Sequence, residues 1–161
     1  MNFFIKLINS FKYAAHGIAF CVRHETNLRI HIVAMIVVFF VAQFYELSRG
    51  EIILLILTCL IVICTEMINT AIEVVIDKVS PGYSALAKAG KDIAAGAVMI
   101  SAIAAVIIAV IMFWDISRFV LIFKFLTQDI WHISMMLGSL CVFYLFIAKG
   151  KKRNIKGKKD K

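Results

Sequence analysis

Apolar residues gather in four long stretches, and the polar positions between and within them define the elements. The first stretch, residues 30–45, is short and has His31 near its start. The second, residues 52–76, is interrupted in its last third by Glu66 and Glu73. The third, residues 93–114, runs for 22 residues without a charge, and the fourth, residues 130–148, for 19 with only His132. About 20 apolar residues cross a bilayer as a helix, so the third and fourth predict transmembrane helices outright. The first two predict spans whose polar ends, at Arg29 and Glu66, lie at headgroup depth. Ahead of them, Phe4, Leu7, Ile8, Phe11, Ala15 and Ile18 recur at helical spacing over residues 3–22, which predicts an amphipathic helix lying on the membrane surface. Lys6 and Lys12 break that run and no small-residue cleavage pattern follows it, so a signal peptide is not expected. Nothing alternates like a barrel strand. In lipid the backbone must satisfy its own hydrogen bonds, so the expected fold class is all-α: a polytopic helical membrane protein.

Composition supports this picture. Of the 161 residues, 62% are hydrophobic and 17% charged, against about 45–50% and about 25% in soluble domains. The mean hydropathy is +0.92. One proline and 8 glycines exclude collagen and low-complexity disorder. The four cysteines, Cys21, Cys59, Cys64 and Cys141, form no C-x-x-C pair; they predict burial rather than a disulfide framework or a zinc site. With the N-terminus inside and four alternating spans, 15 of the 18 Lys and Arg fall on the cytoplasmic side, and only Arg49, Arg118 and Lys124 outside. The positive-inside rule therefore predicts both termini in the cytoplasm. The net charge of +8 is then a juxtamembrane feature rather than a nucleic-acid signal, and the basic tail 149–161 reads as an anchor to anionic lipid.

The informative residues are the acids within the second stretch. Glu66, Asn69, Glu73 and Asp77 stand at offsets 0, 3, 7 and 11, which gathers them on one helix face about 80° wide. Asp77 alone is equally well read as marking the helix leaving the bilayer. A buried ionisable group costs at least about 2.5–3.5 kcal/mol near the membrane centre, so the set in register argues for function. Glu25 precedes the first span, and Lys91 and Asp92 open the third, at a helix N-terminus suited to anions. The Pro81-Gly82 turn folds the second and third spans into a hairpin. Small residues Ala87, Gly90, Ala94, Ala95, Gly96 and Ala97 would let the two helices approach closely.

Carboxylates, an amide and a lysine at one headgroup depth suit a divalent metal and a phosphoryl group. Mg²⁺ takes one or two protein carboxylates plus substrate phosphates, a lysine neutralises phosphate charge, and a remaining carboxylate can accept a proton from an attacking hydroxyl. At that depth the hydroxyl belongs most naturally to a lipid. No P-loop, protein-kinase glycine loop, H-R-D or D-F-G is present.

At three blocks the sequence resembles the small bacterial membrane diacylglycerol kinase family, most closely its Gram-positive undecaprenol kinase branch. They are Glu25-Thr-Asn27-Leu-Arg29-Ile-His31, the run E-x-x-N-T-A-I-E-x-x-x-D from Glu66 to Asp77, and Ala89-Gly-Lys91-Asp92-Ile-Ala-Ala-Gly-Ala97. The resemblance covers roughly residues 3–114. It implies a homotrimer with three transmembrane helices and a surface helix per subunit, in the bacterial inner membrane, with the active site facing the cytoplasm. It implies transfer of the γ-phosphate of ATP, with Mg²⁺, to a membrane lipid alcohol. By motif position Glu66 resembles the general base, and Glu25 and Glu73 the metal ligands. Asn69, Asp77, Lys91, Asp92 and, on the surface helix, Tyr13 match nucleotide-binding positions.

The resemblance divides the chain into a lipid kinase region, 1–114, and a C-terminal extension, 115–161, with a fourth span and the basic tail. No fused lipid phosphatase motif is found in the extension, and His132 reads as a satisfied or interfacial histidine. Three readings of function stand: an undecaprenol kinase, favoured by the E-T-N-L-R-I-H block; the same chemistry on diacylglycerol; and a proton or ion pathway subunit with Glu66 and Glu73 as relays. The last gives Lys91, Asp92 and Glu25 no task.

Overall fold

The computed structural model describes residues 3–150. Its six helices are α1 (Phe3–His24), α2 (Thr26–Ala42), α3 (Arg49–Val79), α4 (Ala85–Met112), α5 (Ile116–Thr127) and α6 (Ile130–Ala148). Among the described residues there is no strand, as the all-α reading requires. Helices α3, α4 and α6 are each long and apolar enough to cross a bilayer. The chain is a polytopic helical membrane protein, and the many large apolar side chains on its outer surface face lipid rather than water.

The amphipathic segment forms α1, which meets α2 at 99°. With α2 crossing the bilayer, that bend lays α1 along its surface. One extended residue makes the corner: Glu25, at φ −105° and ψ 116°, whose N–H donates to Cys21 O at 2.8 Å. The first span corrects the sequence expectation. It runs 26–42 rather than 30–45, because the helix starts at the corner and takes polar Thr26, Asn27 and Arg29 into its first turn. Its 17 residues rise about 26 Å, slightly less than the roughly 30 Å hydrocarbon core.

Helix α3 opens with a capping box. Ser48 Oγ accepts from Glu51 N at 3.3 Å while Glu51 Oε2 accepts from Ser48 N at 2.7 Å. Its 31 residues extend about 46 Å, well beyond the hydrocarbon core. Helix α4 is capped by Ser84, whose hydroxyl accepts from Ala87 N at 3.3 Å. It therefore begins eight residues before the apolar run does, and Lys91 and Asp92 lie two turns inside it. That corrects the expectation of a helix N-terminus beside them.

The α3–α4 hairpin is the principal packing unit. Thr65 Oγ1 and Ser101 Oγ bridge it at 2.9 Å. At Gly90 a Cβ would stand 3.1 Å from Ile76 Cδ1, so glycine there permits close approach; at Gly96 nothing lies within 4 Å and smallness has no packing role.

The chain beyond α4 contains an element the sequence reading omitted. Asp115 accepts from Ser117 N at 3.0 Å and starts α5, whose 12 residues rise only about 18 Å and cannot cross. Tyr45 Oη donates to Phe113 O and Asp115 O at 3.2 and 3.1 Å, fixing this turn to the end of α2. The fourth span falls where the apolar run predicts it, and α6 packs against α2 and α5. His132 turns its ring edge-on to Phe125, with Asp129 at 3.8 Å. Of the cysteines only Cys21 is buried; Cys64 and Cys141 are exposed, which corrects the expectation of burial. Both lie on apolar spans, where the outer surface is lipid. The basic tail from residue 151 lies outside the described residues.

Candidate functional site

Where α1 ends, α2 begins and α3 passes behind them, the buried residues change character. The core elsewhere is apolar apart from Thr58, but here Glu66, Asn69 and Thr70 are buried, with Cys21 of α1 and Leu28 and Arg29 of α2 buried at the adjoining corner. The helical spacing of α3 points Glu66, Asn69 and Glu73 to one side, and the corner at Glu25 brings the start of α2 against that side. Glu66 is only 2% exposed. Its carboxylate accepts from the Asn27 side-chain amide and feels the charges of Glu25 and Glu73. Its Oε2 has no hydrogen-bond partner, and neither has Asn69 Oδ1. Asn69 Nδ2 donates to Glu73 Oε1 at 3.2 Å, and Thr70 Oγ1 donates back to Glu66 O at 3.0 Å.

Three carboxylates stand near two buried oxygens, Glu66 Oε2 and Asn69 Oδ1, that have no hydrogen-bond partner. Buried polar oxygens normally find a donor. A hard divalent cation answers that need, since its preferred ligands are carboxylate and amide oxygens. Among the described residues no group of three or more His, Cys, Asp or Glu has the geometry of a metal cage. The donor set fits a cation that takes one or two carboxylates and completes its shell with substrate phosphates.

One turn further along α3, Asp77 forms an ion pair with Lys91 of α4. Lys88 lies 4.0 Å from Asp92, and both are well exposed. The hairpin thus carries two lysines and two acids beyond Glu66 and Glu73, on the headgroup side. Tyr13 is 70% exposed on α1 and makes no hydrogen bond to the acidic group among the described residues. The structure therefore gathers Glu25, Asn69 and Glu73 around Glu66, pairs Asp77 with Lys91, and leaves Tyr13 and Asp92 on the surface.

Two contributors escaped the sequence reading. Asn27 carried no assigned role, although it sits in the Glu25–His31 block. Cys21 packs beneath the site with its thiol on Thr70; burial, and then the charge of Glu25, push that thiol up and keep it protonated. Beneath Glu66, starting one turn away at Val62, an apolar cavity of about 220 Å³ runs between α2, α3 and α4, with His31, Thr58 and Ala102 in its wall.

The fold and site define a membrane-embedded helical protein with a buried acidic centre at one face of the bilayer. The family model for prokaryotic diacylglycerol kinase matches residues 12–113, which is α1 from its second half through the end of α4. The chain belongs to that family, and its class is that of a lipid kinase. It is 41% identical over 103 residues to the diacylglycerol kinase of Synechocystis sp., a match covering 63% of this chain and 59% of that protein. It is 36% identical over 108 residues to the undecaprenol kinase of Bacillus subtilis, covering 67% of this chain and 88% of the relative. Against the diacylglycerol kinase of Escherichia coli it is 30% identical over 112 residues, covering 70% and 92%. A kinase of this family uses ATP and a divalent metal. The matched stretch ends at Phe113, so α5 and α6 lie beyond it.

Proposed function

We propose that the chain phosphorylates the hydroxyl of a membrane lipid alcohol at the expense of ATP, with undecaprenol as the preferred acceptor. The observation that carries this is the Glu66 carboxylate, buried beside Asn27, Asn69, Glu25 and Glu73 with one oxygen unpartnered. Glu66 is the base: its free Oε2 takes the proton of the lipid hydroxyl as the phosphoryl group arrives. Glu25 and Glu73 hold the metal, Mg²⁺, which when bound neutralises charge on the ATP phosphates. Asn69 keeps Glu73 oriented through its amide hydrogen bond. Lys91, steered by Asp77, faces the triphosphate; Asp92 and Tyr13 complete the nucleotide surface. The apolar cavity beginning at Val62 receives the first segment of the lipid chain, so the hydroxyl meets Glu66 from the bilayer side.

Undecaprenol is favoured over diacylglycerol by the E-T-N-L-R-I-H block at the corner, with the undecaprenol kinase of Bacillus subtilis among the relatives. The working unit is a homotrimer in the bacterial inner membrane, with the site facing the cytoplasm, where ATP is found. Residues 1–114 form the kinase region and 115–161 a C-terminal extension with the fourth transmembrane helix and a basic tail. The purified chain, labelled ATP, Mg²⁺ and the two lipids offered separately test the proposal. Label on undecaprenol and little on diacylglycerol is the expected result. Label on diacylglycerol alone reverses the assignment. Label on neither, with proton flux in liposomes, replaces the kinase by an ion pathway.

A further inference from the structure

A second polar site lies where α6 ends against the α1–α2 corner. A cleft of about 630 Å³ opens there, and Arg23, His24, Arg29 and Lys149 are in its wall with no acidic residue among its lining. Arg29 forms its floor and is 3% exposed. Nε of Arg29 donates to Ile147 O at 3.2 Å, Nη1 to Val22 O and Arg23 O at 2.9 and 3.3 Å, and Nη2 to Thr26 Oγ1 at 2.9 Å. A guanidinium has five N–H donors, so one Nη2 hydrogen has no acceptor among the described residues. Gly150 backs onto the same guanidinium so closely that a Cβ would collide with it.

The carbonyl ends of α1 and α6 carry partial negative charge, and Arg29 alone already binds three of those carbonyls. Arg23 and Lys149 then add positive charge to a lining that holds no acidic side chain. His24 turns Nδ1 away from the cleft, donating to Phe20 O at 2.9 Å. The other wall is apolar: Val142, Leu145 and Phe146 of the membrane-spanning α6. The cleft sits at the last turn of that span, which is headgroup depth.

We propose that this cleft binds the phosphate of an anionic membrane phospholipid, held by Arg23, Lys149 and the spare N–H of Arg29, with its acyl chains along Val142, Leu145 and Phe146. A free phosphate would use the cations and leave the apolar wall unfilled; a lipid uses both. Basic recesses between spans at headgroup depth have the chemistry of lipid-phosphate sites. The bound lipid joins α6 to the corner that carries Glu25, tying a segment beyond the family-matched region to the kinase site.

The test uses the full-length chain in phosphatidylcholine vesicles doped with phosphatidylglycerol, with native mass spectrometry of the lipid that the released protein retains. One phosphatidylglycerol per chain is expected. Arg23→Gln with Lys149→Gln should weaken retention about 25-fold, from about 5-fold per cation, while Lys78→Gln on the same membrane face leaves it unchanged. The charge-preserving pair Arg23→Lys with Lys149→Arg should retain the lipid, which separates charge from packing. Native-like retention by the double Gln variant, or loss in the charge-preserving pair, overturns the proposal. Displacement by inorganic phosphate at constant ionic strength reassigns the cleft to a free anion and overturns the lipid.

Discussion

Replacing Glu66 with glutamine keeps the size and shape of a side chain that is almost wholly enclosed, and removes its negative charge and its ability to accept a proton. A positioned base contributes about 10²- to 10⁴-fold to turnover, so Glu66→Gln should lower kcat at least about 100-fold. Nucleotide affinity should change little, because the proposed metal ligands are Glu25 and Glu73. Stability gives an independent readout with the opposite sign. A charge within a membrane segment costs at least about 2.5–3.5 kcal/mol, and here Oε2 has no donor while two like charges act on the carboxylate. The uncharged variant should therefore melt no lower than the parent, and higher if Glu66 is ionised in the resting protein. The assay pairs labelled-ATP turnover in vesicles with thermal unfolding of the same preparation. Turnover above about a tenth of the parent's removes Glu66 from the base role. A lowered melting temperature means that its charge is structurally compensated, contrary to the site described above.

Four further outcomes follow from particular contacts. Glu73→Gln should raise the KM for the metal–ATP complex about 10-fold with a smaller effect on kcat; equal affinity by isothermal titration counts against its metal role. Lys91→Met breaks the ion pair with Asp77, which is partly exposed on both sides; stability should fall by no more than about 1 kcal/mol while the KM for ATP rises. Gly90→Ala should be tolerated, since the atom it meets is the flexible end of Ile76, whereas Gly90→Leu should cost about 1–3 kcal/mol by forcing the hairpin apart, read as a shift in thermal unfolding. The Asp115 carboxyl is held below its usual range chiefly by the Ser117 hydroxyl. Its contribution to α5 is fully present above the ordinary carboxylate range and is lost as pH falls through the depressed folded-state value. Hydrogen exchange in α5 should accelerate over that acid interval, and the acceleration should be absent in Asp115→Ala.

The spans were legible because lipid enforces a strong pattern. The uncharged run 130–148 became α6 residue for residue, and the face carrying Glu66, Asn69 and Glu73 turned inward as its spacing required. What failed was the behaviour of polar residues at helix ends. Hydropathy ends a segment at its first charges, whereas Ser84 and the Glu25 corner set the true starts of α4 and α2 by hydrogen bonding. Helix α5 was missed because Arg118 and Lys124 shorten its apolar run below spanning length, although Asp115 is a recognisable N-cap. The environment of Arg29 was not legible at all. Its bond to Ile147 O joins positions 118 apart in sequence, and no local pattern announces a guanidinium placed between the ends of two helices. Tyr13 entered through resemblance alone and Asp92 through its place at the start of the third apolar run; nothing in the packing draws either toward Glu66.

The length of α3 has a mechanical corollary. A rod that overruns the hydrocarbon slab must tilt or slide when the slab changes thickness, at a cost of a fraction of a kcal/mol per Å. Glu66 stands about 26 Å along that rod from Arg49, so membranes built from longer acyl chains draw its carboxylate deeper and thinner ones lift it toward water. Turnover should therefore trace a maximum as acyl length is varied at constant headgroup, making the enzyme a gauge of the bilayer in which its own substrate is dissolved.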